Sequence, residues 1–192
     1  MLSIIMLLVA CSRKMTYEEM VEYINNPKYG CIQEKIVNGI KFKAVYYPSE
    51  IMVYHEVRGK DSVTTEDVFS LRERYNKQHY IILSFSNEGR DILSTATDKQ
   101  QFELLIQQLS FKMEQNVLLT NSENDTLVFI DSRFPRYFGV KDQSDLLLIF
   151  ERKKSEIEHL NLLIREFGLR TGDIKFKLST IVNAVIKENE YK

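Results

Sequence analysis

Cys11 is the residue whose surroundings most clearly select a chemistry. Ten residues precede it, apolar except Ser3, and the last two are Val9 and Ala10. A short apolar run ending in small residues has the outline of a secretory segment with its cleavage site. It falls far below the ~20 apolar residues that a membrane-spanning helix needs. No Lys or Arg lies ahead of it, so the amino group of the chain is the positive charge there. Ser12, Arg13 and Lys14 then turn abruptly polar. The chain has one other thiol, Cys31. If Cys11 is modified, no intramolecular disulfide can form, even in an oxidising compartment. A lone cysteine at a strand start is more often a small buried hydrophobe than a reactive thiol.

The remaining reactive side chains form no motif. His55, His79 and His159 are each far from one another and from either cysteine, so zinc-ligand spacing is missing. They read as surface or half-buried residues. The lipase-type Gly-x-Ser-x-Gly elbow, the P-loop and Gly-x-Gly-x-x-Gly are all absent. We therefore expect no catalytic residue, no metal ligand and no cofactor. The turn from Gly168 to Asp173 could offer backbone amides to a ligand, although glycine more often serves a plain turn.

One loop is unusual. Ser132-Arg133-Phe134-Pro135-Arg136-Tyr137-Phe138-Gly139, followed by Lys141, interleaves basic and aromatic residues. Exposed aromatics and arginines are what binding hot spots are made of. Arg133, Phe134, Arg136, Tyr137, Phe138 and Lys141 are therefore the candidate partner-binding set. The competing reading has Phe134, Tyr137 and Phe138 plugging the end of a sheet while the arginines reach water. A net charge of -1 argues against nucleic acid as the partner.

Elements that would carry these residues can be read from periodicity. Thr16 and Glu19 form a capping box, and Met20, Val21 and Ile24 follow at helical spacing until Asn26-Pro27. Residues 32–47 read as a hairpin turning at Asn38-Gly39. Ile40, Phe42, Ala44 and Tyr46 then alternate with Lys41 and Lys43. Residues 49–58 fit strand or helix, with Pro48-Ser49-Glu50 favouring helix. Thr64 or Thr65 caps the next helix, with Val68, Leu71 and Tyr75 inward. Residues 80–85 read as a central strand, continued after a turn at 87–89 by Ile92 and Leu93. Thr97 and Asp98 cap a helix whose stripe is Phe102, Leu105, Ile106, Leu109 and Met113.

Strands are expected at 117–120, 127–131, 146–150, 157–164 and 174–178, with Ser179 capping a last short helix through Val185. The length of 192 residues suits one domain. The expected class is α+β: one domain, mainly antiparallel sheet, with three to five short helices packed on one face.

Several segments resemble known proteins together. Leu8-Val9-Ala10-Cys11 resembles the lipobox of bacterial lipoproteins, in which the chain is cut before the cysteine and its sulfur carries a diacylglycerol. Asn26-Pro27, Tyr46-Tyr47-Pro48-Ser49-Glu50, Arg90-Asp91-Ile92, Phe150-Glu151-Arg152 and Phe167-Gly168-Leu169 add to the likeness. Their order is similar to that in small uncharacterised lipoproteins of Bacteroidota, including Flavobacterium-like species. The resemblance implies a signal peptide at 1–10, a single periplasmic domain at 11–192, and a covalent lipid on Cys11 in place of any cofactor. It carries over no activity and no catalytic residue. In that phylum an acidic run after the cysteine accompanies export to the cell surface. Arg13 and Lys14 are basic, which implies the periplasmic face of the outer membrane.

The expected function is that of a lipid-anchored, non-enzymatic binding or assembly component of a cell-envelope complex, with the membrane and another envelope protein as partners. Multiple acyl chains suffice for stable anchoring, where one is marginal. The alternatives are a periplasmic carrier of a small ligand or lipid, and an uncharacterised hydrolase-like enzyme.

Overall fold

Local sequence signals start each element of the computed structural model, which describes residues 13–135, 142–153, 158–181 and 184–191. Strand β1 (Arg13–Met15) leads into helix α1 (Tyr17–Asn25). Thr16 caps α1 by accepting the N–H of Glu19, whose carboxylate accepts the N–H of Thr16 in return. A 3-10 turn at Pro27–Tyr29 follows. Strands β2 (Ile32–Val37) and β3 (Ile40–Tyr47) form the expected hairpin. Its turn needs positive φ twice, at 51° for Asn38 and 80° for Gly39.

Residues 49–58 resolve as helix α2 (Ser49–Val57), and Thr64 caps α3 (Thr65–Tyr75). Strand β4 (Gln78–Asn87) lies at the centre of the large sheet. The strand expected to continue at Ile92 and Leu93 is only β5 (Arg90–Asp91), followed by a 3-10 turn at Ile92–Thr95. The carboxylate of Asp91 accepts the N–H of Leu93 and bends the chain off the ladder. Helix α4 (Lys99–Phe111) is capped by Asp98 and breaks at Lys112, so Met113 begins the single turn α5 (Met113–Asn116).

Strands β6 (Val117–Thr120), β7 (Phe129–Arg133), β8 (Ser144–Glu151), β9 (His159–Ile164) and β10 (Ile174–Ser179) complete most of the fold. The expected β7 at 127–131 begins two residues later. Leu127 still bonds to Leu119, and only from Val128 does the chain join the larger sheet. The start of β9 expected at Ile157 lies outside the described residues.

The helix expected from Ser179 to Val185 is not formed. Ser179 ends β10, and Ala184–Ile186 is strand β11, pairing parallel with β1. Val185 and Ile186 are β-branched and suit a strand better than a helix. A 3-10 turn at Glu188–Tyr191 ends the described chain. Through this pairing Arg13–Met15, ahead of the first helix, are held as strand.

The strands form a large sheet ordered β2-β3-β4-β8-β7, with β5 on β4, and a small sheet ordered β10-β9-β6. All these pairings are antiparallel. The class is the expected single-domain α+β, but the helices lie on both faces of the large sheet. Phe42, Ala44 and Tyr46 of β3 face the small sheet and α4 in one core. Val45 on the opposite face belongs to a second core with α1, α2 and α3. The alternation along β3 makes both cores, because even and odd residues of a strand point to opposite faces. Hydrophobic residues on both faces, such as Tyr80 and Ile81 of β4, required the second layer.

One buried ion pair closes the helical layer. Glu50 is 4% exposed. Its carboxylate accepts two N–H groups of Arg72 at 2.8 and 2.9 Å, the Ile186 N–H at 2.9 Å and the Tyr191 hydroxyl at 3.0 Å. Arg72 also donates to the Ile186 carbonyl at 3.1 Å. The pair thus ties α2 and α3 to β11. Arg72→Ala should cost about 3 kcal/mol, because it leaves a buried carboxylate without its counter-charge. Urea unfolding measures that loss, and amide hydrogen exchange should speed up first at residues 184–186.

Candidate functional site

The six loop residues singled out in the sequence divide. Arg136, Tyr137, Phe138 and Lys141 lie outside the described residues, as do Leu8, Val9, Ala10 and Cys11. Arg133 and Phe134 are described, and they point different ways. Phe134 is half-buried and packs against the core between the two sheets, as the plug reading expects. Arg133 is the last residue of β7 and is exposed, with its Nε 3.5 Å from Asp131 Oδ2.

β7 is the feature that joins them. It ends the large sheet, with β8 on one side and no strand on the other among the described residues. The inner side chain Phe129 packs edge-on against Phe150 at 5.5 Å between ring centroids. Its neighbours Val128 and Ile130 are 58% and 45% exposed. A register shift between Phe129 and Asp131 turns the strand at this point. Helix α4 packs alongside and carries two more exposed apolar residues, Leu104 and Phe111. Scattered exposed apolar residues are ordinary, whereas Val128 and Ile130 stand together beside a sheet edge that has no partner strand among the described residues. Composition alone picks out the aromatic loop and passes over this edge. The edge's only signal in the sequence is the unbroken run Leu127-Val128-Phe129-Ile130, too apolar for one buried face.

The turn from Gly168 to Asp173 already has an occupant. Glu166 Oε1 accepts the N–H groups of Gly168, Leu169 and Arg170 at 2.6–2.8 Å. Its Oε2 accepts those of Thr171 and Gly172 at 2.5 and 2.8 Å. Positive φ at Gly168, Arg170 and Gly172 aims these amides inward. Partial burial raises the pKa of this carboxyl, and the amides of Arg170, Gly168, Gly172 and Thr171 outweigh that and hold it below the ordinary range. The amides that could have met an external anion are thus saturated by the chain's own carboxylate.

Cys31 is fully buried, and burial pushes its thiol up to about 11, so it stays protonated. His55 lies on α2 against Tyr17 and Tyr54. His79, expected near the surface, is 1% exposed on central strand β4. It alternates in register with Ile81 and Leu83, and that register sends it into the core. Its Nδ1 lies 3.4 Å from the hydroxyl of buried Tyr46, while Nε2 has no partner among the described residues. Burial, with the charge of Arg152 adding, drives its pKa down to about 3. Among the described residues no group of three or more His, Cys, Asp or Glu could hold a metal ion. No helix among them is long and apolar enough to cross a membrane.

No family model matches the chain, and no curated protein sequence matches it. Solved structures with some likeness include a DUF4426-family protein from Pseudomonas aeruginosa, 10% identical over 79% of this chain and 94% of that one, with a TM-score of 0.40. A protein of unknown function from Burkholderia pseudomallei is 9% identical over 84% of each chain, with a TM-score of 0.37. A candidate lipoprotein from Staphylococcus aureus is 11% identical over 82% of this chain and 99% of that one, with a TM-score of 0.35. Likeness at this level assigns no family and no activity.

The buried imidazole makes stability depend on pH with a definite sign. In the unfolded chain His79 takes up a proton near pH ~6.5, whereas in the fold it does so near about 3. Stability is therefore complete above pH ~6.5 and falls as pH drops towards 3, by about 1.4 kcal/mol per pH unit for this one group. His79→Gln should remove that increment of slope. Urea unfolding of both proteins between pH 7.5 and 4.5 reads it directly.

Proposed function

We propose that the chain is a lipid-anchored, non-enzymatic protein of the bacterial envelope that docks a neighbouring envelope component along the free edge of β7. The observation that carries this reading is the edge itself. Val128 and Ile130 stand exposed beside unpaired backbone, and the strand runs through Arg133 into the basic, aromatic loop. Free edge N–H and C=O groups with apolar side chains alongside favour the addition of a partner strand. Helix α4, which packs against β7, also carries exposed Leu104 and Phe111.

The anchor rests on Leu8-Val9-Ala10-Cys11 and on the shortness of the link to the domain. With β1 beginning at Arg13, only Ser12 separates the lipid-bearing cysteine from folded structure. Such a link holds the domain against the bilayer and concentrates it beside other membrane-held components, so modest affinity suffices. The basic Arg13 and Lys14 favour the periplasmic face of the outer membrane. The carrier alternative calls for an apolar cavity between sheet and helices, where the described residues place packed side chains.

Arg133→Glu with Arg136→Glu should abolish co-purification of the docked envelope protein while leaving thermal unfolding within about 0.5 kcal/mol of the original. Ile130→Asp should do the same. Equal recovery of the partner with both variants would place the contact elsewhere.

A further inference from the structure

The small sheet presents a second surface, on the far side of the molecule from the helical layer. Cross-strand register sets Lys175, Leu163 and Leu118 in one outward row, and Lys177, Asn161 and Thr120 in the next. Strand β2 forms a wall along one side. Gln33 of β2 accepts the backbone N–H of Lys177 at 3.1 Å, and the ammonium of Lys35 sits 5.6 Å from the centre of the Phe176 ring. Between wall and rows runs an open groove of about 550 Å³.

Its charge is one-sided. Lys35, Lys175 and Lys177 line the groove, and no carboxylate among the described residues does. None of the three makes an ion pair with a described residue, whereas Lys41 on the neighbouring strand β3 is paired with Glu34 at 2.8 Å. The chain as a whole carries 27 acidic and 26 basic residues, so this unpaired positive charge is a local concentration. Like charges gathered without counter-ions lower stability, and a ligand that neutralises them relieves the repulsion.

We propose that this groove binds an acidic peptide segment in extended conformation, supplied by another protein. The spacing selects the ligand. Lys175 and Lys177 are two residues apart on one strand, and alternate side chains of any extended chain repeat at ~6.6 Å. A peptide with Asp or Glu at alternate positions therefore sets successive carboxylates against successive ammonium groups. Lys35 meets the peptide from the wall. Leu163 and Leu118 accept an uncharged side chain, and Asn161 offers a polar group to the peptide backbone. A lipid surface is the weaker match. The Arg13 end of the chain lies in the helical layer across the large sheet, so a membrane holding that end does not face the groove.

The test uses the full chain and a short labelled peptide of alternating Glu and Val, followed by fluorescence anisotropy. The expected result is binding that weakens at least about tenfold when Lys175→Glu and Lys177→Glu are combined, and similarly when salt is raised. The same peptide with Gln in place of Glu should bind at least about tenfold more weakly, for the same electrostatic reason. Lys175→Gln with Lys177→Gln, whose thermal unfolding is checked in parallel, separates loss of charge from loss of fold. Equal binding of the Glu and Gln peptides, or no binding of either, overturns the proposal. So does displacement of the peptide by anionic lipid vesicles or by inorganic phosphate at matched charge, each of which would assign the groove to a different anion. Because β7 is untouched by these substitutions, the outcome is independent of the docking edge.

Discussion

The carboxylate of Glu50 is the constraint on which the arrangement of the chain ends depends. It is taken out of water at the start of α2, where an unpaired charge would be very costly. It is tolerated because Arg72, the Ile186 N–H and the Tyr191 hydroxyl all donate to it. Such a pair does not by itself make a fold more stable than apolar residues would. Its effect is on position: a strand of only three residues, β11, is held in one place. β11 is the pairing partner of β1, with Arg13 opposite Ala184 and Met15 opposite Ile186. The location of the first described residue thus depends on a glutamate well over thirty positions later in the chain.

From that constraint comes a molecule with distinct sides. The helical layer holds the chain's entry at β1. The large sheet divides it from the small sheet, whose outward lysines are unpaired among the described residues. The edge at β7 lies at the margin between them, with apolar side chains and a terminal arginine. The two surfaces differ in chemistry. The edge offers backbone hydrogen bonds and apolar contact, while the groove offers charge. The loop at 166–172 shows the contrast within one protein, since its anion-binding amides are filled by Glu166 and its function is structural.

Much of the fold was legible wherever a local rule decides the outcome. The capping box at Thr16, the helix cap at Thr64 (one of two threonines that could have served), the Asn38-Gly39 turn and the alternation from Ile40 to Tyr46 all act within a few residues, and each is formed. The failures share a cause. β11 is a strand because β1 lies beside it, some 170 positions away in sequence, and nothing in residues 179–186 announces that partner. The second helical layer was hidden because β3 shows a clean alternation through Lys41 and Lys43, while Val45 farther along the same face packs with residues of α1 and α2. His79 was misread because its burial comes from the register of β4 and not from its own neighbours. Of the candidate surface, the aromatic loop could be picked out by composition, but the exposed edge of β7 depends on which strand ends the sheet. The groove lysines gave no signal, because alternating lysine in a strand is the usual mark of a solvated face.

Central to the proposed function is a lipidated Cys11 that passes almost at once into a clamped strand, with no free tether between lipid and domain. Limited trypsin treatment of native membranes tests this most directly. Arg13 and Lys14 have exposed side chains, but their backbone is paired with β11. Cleavage there requires the strand to open. The intact domain should stay with the membrane pellet, and its N-terminal peptide should carry lipid on Cys11. Rapid release of an intact domain beginning at Lys14 or Met15, or a chain found in the supernatant before any protease is added, would contradict it.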